Sequence, residues 1–312
     1  MGKIIRIGTR ESQLAVWQAT QVQVLLAQNG YPAELVYIKS EGDIDLHTPL
    51  YEMGVQGIFT RSLDMALLNG RIDLAVHSMK DVPTQLPAGI RPAAVLKRGP
   101  VKDLLVYKGE WAEEKGEWTL PGKLVLHIAS SSIRRKAQWL NRYPAHQLHN
   151  LRGNVNTRLK KLQEENWDGA IFAQAGLERI GLRPENAKEL DWMLPAPAQG
   201  AILVASLEKD SYTTEACRTF NDLETEICTR TERSFLRTLL GGCSTPISAF
   251  AQVNGNEIHF RGNILTLDGA EKAVVELKAG LTESEELGTR AAALLLENGG
   301  LAIAAKIRNA AS

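Results

Sequence analysis

The order of apolar and polar residues predicts an alternation of strands and helices that runs through most of the chain. Short apolar runs predict strands at Lys3–Gly8, Tyr31–Lys39, Ile72–Val76, Lys123–Ala129, Gly169–Ala173 and Ile202–Leu207. Segments with apolar residues at helical spacing predict helices at Gln13–Gln28, Ile58–Asn69, Ile133–Arg142 and Leu177–Ile180. Strands that alternate with helices are typical of an α/β fold.

The pattern changes at about Asp222, where a longer helix is followed by short strands. The dipeptides Asn254-Gly255 and Asp268-Gly269 are typical hairpin turns, and a last helix starts at Ser284. This part of the chain is predicted to form a small α+β domain.

Proline and glycine mark two passages between α/β lobes, at Pro87–Leu105 and Pro195–Ala201. We therefore expect one lobe from residues 1–98 and 200–218, a second from 103–195, and a C-terminal domain at 222–312. The predicted fold is two α/β lobes around a cleft that can open and close, with the small α+β domain attached.

Composition is that of a soluble globular protein. The 312 residues are 44% hydrophobic, and 36 basic residues balance 36 acidic ones. We find no signal peptide and no window near the ~18 uninterrupted apolar residues of a membrane span, so we expect a cytoplasmic protein. The three cysteines form neither a C-x-x-C pair nor a Cys/His cluster, which argues against a disulfide framework and a zinc site.

Charge is locally one-sided, because the 46 residues from Trp118 to Gln163 hold nine basic residues and no acidic one. Two predicted strand-to-helix junctions lie there, with the residues Ser130, Ser131, Ser132, Arg134 and Arg135 at the first, and Arg152, Asn154 and Arg158 at the second. Helix starts offer unpaired N–H groups and a positive dipole end, and arginine matches carboxylates or phosphates. One such helix would more often be a solvated face that lacks glutamate. Two in succession favour an anion site.

Further arginines occupy similar junctions elsewhere. Arg10 and Ser12 lie between the first strand and the first helix, and Arg179 follows the strand Gly169–Ala173 and a predicted turn at Gln174-Ala175-Gly176. So many guanidinium groups predict a ligand with several carboxylates or phosphates.

The segment from Arg71 to Pro83 places polar residues after a buried strand. His77, Ser78, Lys80 and Asp81 follow Ile72–Val76, and ligands of open α/β sheets bind at the carboxyl ends of strands. The alternatives are a surface pair between Lys80 and Asp81 and a satisfied near-core histidine. We favour a functional site because an arginine-rich second lobe faces this edge.

Cys243 differs from the other cysteines because it follows two glycines in a predicted loop. Glycines allow the backbone to approach another lobe closely, and the position of Cys243 in a loop rather than on an apolar face favours a covalent role. Cys217 and Cys228 are predicted to be small buried residues. The polar segment Ser40–Gly57 is predicted to be a long loop, and loops of that length in a compact domain are more often functional or mobile than idle.

Together these segments resemble the porphobilinogen deaminase family. The matching segments, in family order, are Arg6–Ser12, Trp17-Gln18, His77–Pro83, Ser131–Arg135, Leu151–Arg158, Ala175–Arg179, Gln199–Ala201 and Gly241–Cys243. The resemblance implies two lobes like those of type II periplasmic binding proteins and a C-terminal α+β domain. It also implies a dipyrromethane cofactor, made from substrate and attached by a thioether to Cys243.

The resemblance further implies a transferase of tetrapyrrole biosynthesis that joins four porphobilinogen molecules into hydroxymethylbilane and releases ammonia. Asp81 and Arg10 would be catalytic, with Asp81 hydrogen-bonding pyrrole N–H groups and stabilising the methylene-pyrrole cation. The implied cofactor contacts are Cys243, Lys80, Ser130, Ser131, Ser132, Arg134, Arg135 and Arg158. The implied substrate contacts are Arg10, Ser12, Gln18, Arg152, Arg158, Arg179 and Gln199. The implied enzyme is a monomer that uses no metal.

Three positions depart from the family pattern: Glu41 and Gln56 stand where basic residues are common, and Ser130 where threonine is frequent. Two alternative functions would also explain the arginines. A binding protein for a polyanionic solute would need neither Asp81 nor Cys243. A nucleic-acid binder would use the basic segment, but its aromatic residues are few, and we expect neither nucleic acid nor membrane as a partner.

Overall fold

The computed structural model describes residues 3–40, 60–114, 117–120, 122–239 and 245–311. The strands, numbered in chain order, are β1 Ile5–Thr9, β2 Ala33–Tyr37, β3 Leu74–Ser78, β4 Ile90–Val95, β5 Asp103–Tyr107, β6 Ala112–Glu114, β7 Glu117–Thr119, β8 His127–Ala129, β9 Gln147–His149, β10 Gly169–Ala173, β11 Ala187–Glu189, β12 Ile202–Leu207, β13 Ile247–Asn254, β14 Glu257–Leu265 and β15 Lys272–Gly280. The α-helices are α1 Gln13–Gln28, α2 Arg61–Leu68, α3 Ile133–Arg142, α4 Val155–Glu164, α5 Gln174–Glu178, α6 Ser211–Arg218, α7 Leu223–Thr238, α8 Ser284–Leu295 and α9 Leu301–Ala311.

The first lobe is built on a five-stranded sheet with the order β2-β1-β3-β12-β4. Strand β1 runs parallel to β2 and β3, whereas β12 returns from the second lobe and pairs antiparallel to β3 and β4. Helix α1 is capped by Ser12, whose hydroxyl accepts a hydrogen bond from the Ala15 N–H. Its apolar face, including Val22 and Leu26, packs on the sheet. The carboxyl ends of β1 and β3 thus point to the same edge.

The second lobe has a five-stranded sheet with the order β11-β5-β10-β8-β9. Strand β8 is parallel to β9 and β10, while β5 enters antiparallel to β10. Ser132 and Asn154 cap the helices α3 and α4 through their side-chain oxygens. Both predicted strand-to-helix junctions of the basic segment are therefore present.

Two crossing segments, Pro87–Leu105 and Pro195–Ala201, run side by side between the lobes. The Gly99 N–H donates to the Gly200 carbonyl at 3.0 Å, and a Cβ atom on Gly200 would lie 2.7 Å from the Gly99 oxygen. Only glycine permits this approach at the positive φ of 85° found at Gly200. Ala198, in the same crossing, has a φ of 60°. The crossings fall near the domain boundaries predicted from the sequence, which remain a prediction.

The C-terminal domain packs α7, α8 and α9 on the three-stranded sheet β13-β14-β15. Hairpin turns occur at both predicted dipeptides, since Asn254 pairs with Glu257 and Leu265 pairs with Lys272. The domain touches the second lobe, where Gln138 donates to Ser248 at 3.1 Å. The predicted fold class, two α/β lobes and a small α+β domain, is confirmed.

Two predicted elements differ from the structure. The apolar run Lys123–Ala129 forms a strand only from His127, because its neighbours β9 and β10 pair with those last residues alone, and Leu124 is 93% exposed. The predicted turn at Gln174 is the start of α5, which the Gln174 side chain supports by donating to Glu178 at 2.9 Å. In the described part of the chain, no helix has the length and apolarity needed to cross a membrane.

Candidate active site

A cavity of about 520 Å³ lies in the cleft between the two α/β lobes. Both lobes and the second crossing, through Gln199, Gly200 and Ala201, contribute to its wall. The charged residues that line it are Arg10, Glu11, Lys39, Lys80, Asp81, Arg135, Arg152, Arg158 and Arg179. Seven cations against two carboxylates make the described wall strongly positive, which suits a ligand with several negative charges.

The crowding of cations is reflected in their pKa values. Burial, with smaller contributions from Arg135 and Arg134, lowers the pKa of Lys80 to about 8, although Asp81 and Asp103 oppose the shift. Burial also lowers the pKa of Arg158 to about 10, assisted by Arg135 and Arg152. A bound carboxylate would relieve this repulsion, so the cleft favours anionic ligands.

Asp81 ends a single turn of 3-10 helix, Met79–Asp81, that follows the carboxyl end of β3. Its half-buried carboxylate lines the main cavity and also a smaller one. Among the residues described, none forms a hydrogen bond or salt bridge with this carboxylate. Asp81 is therefore placed to accept hydrogen bonds from a ligand.

The substrate residues proposed from the first lobe lie near Asp81. Arg10 lines both cavities, and Ser12 lines the main one besides capping α1. Gln18 is buried, lines the smaller cavity and donates from Nε2 to the Ser78 hydroxyl at 2.9 Å. The structure thus brings Arg10, Gln18 and Asp81 together at the smaller cavity.

The second lobe and the crossing supply the opposite wall. Arg158 donates to the Gly153 carbonyl at 2.7 Å, and Arg179 donates to the Gly200 carbonyl at 2.6 Å. The Arg179 guanidinium also lies 5.5 Å from the centre of the Trp17 ring, which belongs to the other lobe. Arg135, Arg152 and Gln199 complete the wall.

Arg134 and the three serines do not line the cavity. Arg134 donates to Asp103 and to the Leu194 carbonyl, both at 2.7 Å. Ser131 donates to the Leu151 carbonyl, Ser130 accepts from the Ser132 N–H, and Ser132 caps α3. In this structure these four side chains build the junction that holds Arg135.

Asp103 is a central residue that sequence reasoning missed. Its carboxylate is fully buried and accepts hydrogen bonds from Arg134, Arg135 and Gln199. Burial alone would raise the pKa of Asp103, but the two arginines hold it well below the ordinary range. The only signal in the sequence is an acidic residue at the start of an apolar strand, Asp103–Tyr107.

A second missed group joins the crossings to the C-terminal domain. Arg98 donates to the Gln199 carbonyl at 2.9 Å and to both carboxylate oxygens of Glu232. Glu232 also accepts a hydrogen bond from the Ala198 N–H at 2.6 Å. This network surrounds Gln199, whose Oε1 lies 3.5 Å from the Lys80 ammonium.

His77 lies behind the site, within the core. It is 5% exposed, and burial together with the nearby Arg10 lowers its pKa to about 3. Its Nε2 is 3.9 Å from Asp64, whose pKa burial raises to about 6. Cys217 and Cys228 are buried thiols whose pKa values burial raises to about 12, in line with a packing role. No cluster of three or more His, Cys, Asp or Glu able to hold a metal occurs in the described ranges.

Cys243, Glu41 and Gln56 lie outside the described residues. The expectations for the covalent anchor and for the loop Ser40–Gly57 therefore concern a part of the chain without described geometry.

Comparison with known proteins matches two family models to this chain. "Porphobilinogen deaminase, dipyromethane cofactor binding domain" matches residues 5–215, and "Porphobilinogen deaminase, C-terminal domain" matches residues 226–297. The porphobilinogen deaminase of Pelobacter propionicus is 40% identical over 304 residues, which cover 96% of each chain. That of Chlorobium phaeobacteroides is 37% identical over 317 residues, 99% of each chain.

Among solved structures, a glutathione-import protein of Streptococcus mutans is 11% identical and overlaps with a TM-score of 0.40 over 70% of this chain and 87% of that chain. A putative L-cystine transporter of Listeria monocytogenes is 10% identical and gives a TM-score of 0.39 over 72% and 91%. These overlaps are partial, whereas the family models and the relatives span most of the sequence. The chain therefore belongs to the porphobilinogen deaminase family.

Proposed function

We propose that this chain is a hydroxymethylbilane synthase, which condenses four porphobilinogen molecules into the linear tetrapyrrole with release of ammonia. One observation carries this proposal most directly. The carboxylate of Asp81 forms no hydrogen bond or salt bridge with the described residues and lies in a cleft lined by seven cations. A pyrrole with two acidic side chains needs both features, an acceptor for its N–H and cations for its carboxylates.

The residues present fit the dipyrromethane cofactor of this family. Its two rings carry four carboxylates, and Lys80 and Arg158 line the cleft with charge that no carboxylate in the wall fully balances, while Arg135 would share its guanidinium with Asp103. Ser130, Ser131, Ser132 and Arg134 are further proposed contacts. Ser131 would have to exchange the Leu151 carbonyl for a ligand oxygen, whereas Ser130 and Ser132 accept from backbone N–H groups and keep an O–H to donate. We propose Cys243 as the covalent anchor.

When bound, the dipyrromethane supplies the pyrrole α-carbon to which the first new ring is joined. Asp81 accepts hydrogen bonds from pyrrole N–H groups and offsets the positive charge that develops on substrate as ammonia departs. Because the carboxylate is half-buried, this charge interaction is stronger than it would be in water.

The remaining proposed contacts hold the substrate's side chains. Arg10 and Asp81 line the same small cavity, so Arg10 would hold a carboxylate of the incoming ring beside the Asp81 carboxylate. The other proposed substrate contacts are Ser12, Gln18, Arg152, Arg158, Arg179 and Gln199. Each added ring brings two carboxylates, which accounts for the number of arginines.

We propose that each domain supplies a different part of the active site. Lobe 1 (1–98 and 200–218) supplies Asp81 and Arg10, lobe 2 (103–195) supplies most of the arginines, and the C-terminal domain (222–312) supplies Cys243. We further propose a cytoplasmic monomer that takes porphobilinogen as its substrate and does not bind nucleic acid. The relatives are enzymes named for a small-molecule substrate, which supports porphobilinogen rather than nucleic acid as the ligand.

The decisive experiment combines intact mass with turnover. The purified protein should exceed its sequence mass by two pyrrole units and convert porphobilinogen into a product that cyclises to uroporphyrinogen, which is then oxidised by air or added iodine to uroporphyrin for detection. Cys243→Ser should lose both the added mass and the activity, while the control Cys217→Ser should keep the added mass. An unmodified wild type that cannot be loaded by incubation with porphobilinogen would contradict the proposal.

The rival functions give different results in the same preparations. A solute-binding protein would bind polycarboxylates equally well with Ser at position 243. A nucleic-acid binder would be retained on DNA in a salt-dependent manner and would not bind small carboxylate ligands.

A further inference from the structure

Arg233, on helix α7 of the C-terminal domain, binds the turn that carries Asp81. Its guanidinium donates hydrogen bonds to three backbone carbonyls, those of Met79 at 3.4 Å, Val82 at 2.9 Å and Pro83. These three residues enclose Lys80 and Asp81 in the sequence. The Met79–Pro83 turn is thus held from outside its own lobe.

The contact is unusual for an arginine because no acidic residue that the structure describes forms a salt bridge with it. Arg233 is half-buried, and burial together with Arg237 lowers its pKa to about 10. Placing a cation there without a carboxylate is costly, so its interaction with the carbonyls must be favourable. A lysine could not span the three acceptors, because its ammonium is a compact point charge without the planar fork of arginine.

The turn is also held by its own lobe, where Met79 and Val82 pack in an apolar cluster with Val95 and Leu203 and two backbone hydrogen bonds anchor it. The Met79 N–H donates to the Ala201 carbonyl at 3.0 Å, and the Val82 N–H donates back to Met79 at 3.2 Å. Neither hydrogen bond involves the carbonyls of Val82 and Pro83, which accept from Arg233. Loss of Arg233 would therefore release the side of the turn that follows Asp81.

Helix α7 links this turn to two other parts of the machinery. Glu232, the preceding residue, accepts hydrogen bonds from Arg98 and Ala198 and so holds both crossings. The helix ends at Thr238, five positions before Cys243 in the sequence. One rigid element therefore contacts the catalytic turn and leads towards the anchoring cysteine.

We propose that Arg233 is a positioning residue for the condensation reaction, which fixes the Asp81 turn relative to the helix that leads to Cys243. This inference rests on the proposed function, since it assigns Asp81 the catalytic role. Arg233 touches neither substrate nor cofactor in the proposal and acts through the backbone of the turn. A simpler alternative is that Arg233 only attaches the C-terminal domain to the first lobe.

A double-mutant cycle with Asp81 separates these alternatives. In cofactor-loaded enzyme, Arg233→Lys should lower kcat by about tenfold or more, the effect of losing a hydrogen bond to a charged group. In the Asp81→Glu background, where the carboxylate is already displaced, Arg233→Lys should lower kcat less than about threefold, because coupled residues are not additive. The control Arg230→Lys, on the same helix at an exposed position, should leave kcat unchanged in both backgrounds.

Equal losses in the two backgrounds, or no loss in either, would overturn the inference. Hydrogen exchange provides a readout that does not depend on activity. Amides of Met79–Val82 should exchange faster in Arg233→Lys than in Arg230→Lys, while the core of the C-terminal domain should be unchanged. A wild type that does not convert porphobilinogen would refute the proposed function, whereas unaltered exchange in the turn would refute the role of Arg233.

Discussion

The guanidinium of Arg98 donates hydrogen bonds of 2.7 and 3.0 Å to the two carboxylate oxygens of Glu232, which is fully buried. Arg98 belongs to the first crossing between the lobes, and Glu232 belongs to the C-terminal domain. The same carboxylate accepts the N–H of Ala198, a residue of the second crossing with a positive φ of 60°. A single acidic side chain therefore ties three parts of the fold together and holds a strained backbone position.

Replacing Glu232 with Gln should destabilise the protein strongly. The substitution keeps the shape but leaves the Arg98 cation without its carboxylate, and breaking a buried pair of this kind costs about 3–5 kcal/mol. We expect a large fall in the urea midpoint for unfolding of the cofactor-loaded protein. The matched control is Glu285→Gln, which removes an exposed pair with Arg230 at 3.6 Å and should change the midpoint little. Similar midpoints for the two variants would contradict the prediction.

Asp81→Asn should separate binding from chemistry. The amide keeps the size of the side chain and removes the charge that offsets the developing cation, so we expect turnover to fall by about a hundredfold or more. Binding of a tetracarboxylate ligand, measured by calorimetry, should change much less because the cleft cations remain. The control Asp191→Asn removes an exposed carboxylate that pairs with Lys102 outside the cleft and should retain full turnover. An active Asp81→Asn enzyme would remove Asp81 from the mechanism.

Ligand affinity should depend on pH through Lys80. Its pKa is lowered to about 8 in the ligand-free protein, so the amine loses its charge as the pH rises past that value. A bound carboxylate raises the pKa of Lys80, which means that binding takes up a proton above pH 8 and affinity falls by up to about tenfold per pH unit. Calorimetry from pH 7 to pH 9.5 should show this fall. Lys80→Arg should abolish it, because arginine stays charged throughout.

The sequence predicts the elements well where a cap and an apolar period coincide. The predicted bounds of α1, α3, β10 and β12 match the structure, and Ser12 and Ser132 cap their helices. The prediction at Lys123–Ala129 was too long because strand length is set by the neighbouring strands. Those neighbours are distant in sequence, so a local pattern of apolar residues cannot show where the pairing begins.

The candidate site shows the same limit. Arg10, Arg152, Arg158 and Asp81 could be predicted because they follow strand ends, and the carboxyl ends of strands share an edge. The partner of Arg134 could not be predicted, because nothing local distinguishes an arginine that faces the cleft from one that binds the buried Asp103. Arg233 was missed for a related reason, since its acceptors are backbone carbonyls that carry no signature in the sequence.

Gly269→Ala should weaken the docking of the C-terminal domain on the second lobe. The hairpin turn at Gly269 packs on helix α3, where Asn141 donates to its carbonyl at 2.8 Å, and an added Cβ would lie 2.4 Å from the Ala137 oxygen. Gly255, at the other hairpin, has a similar positive φ but no atom within 4 Å of such a Cβ. Gly255→Ala therefore measures the cost of the backbone conformation alone, about 1–2 kcal/mol. Chemical denaturation should give a clearly larger loss for Gly269→Ala, and equal losses would show that the hairpin can move off the helix without cost.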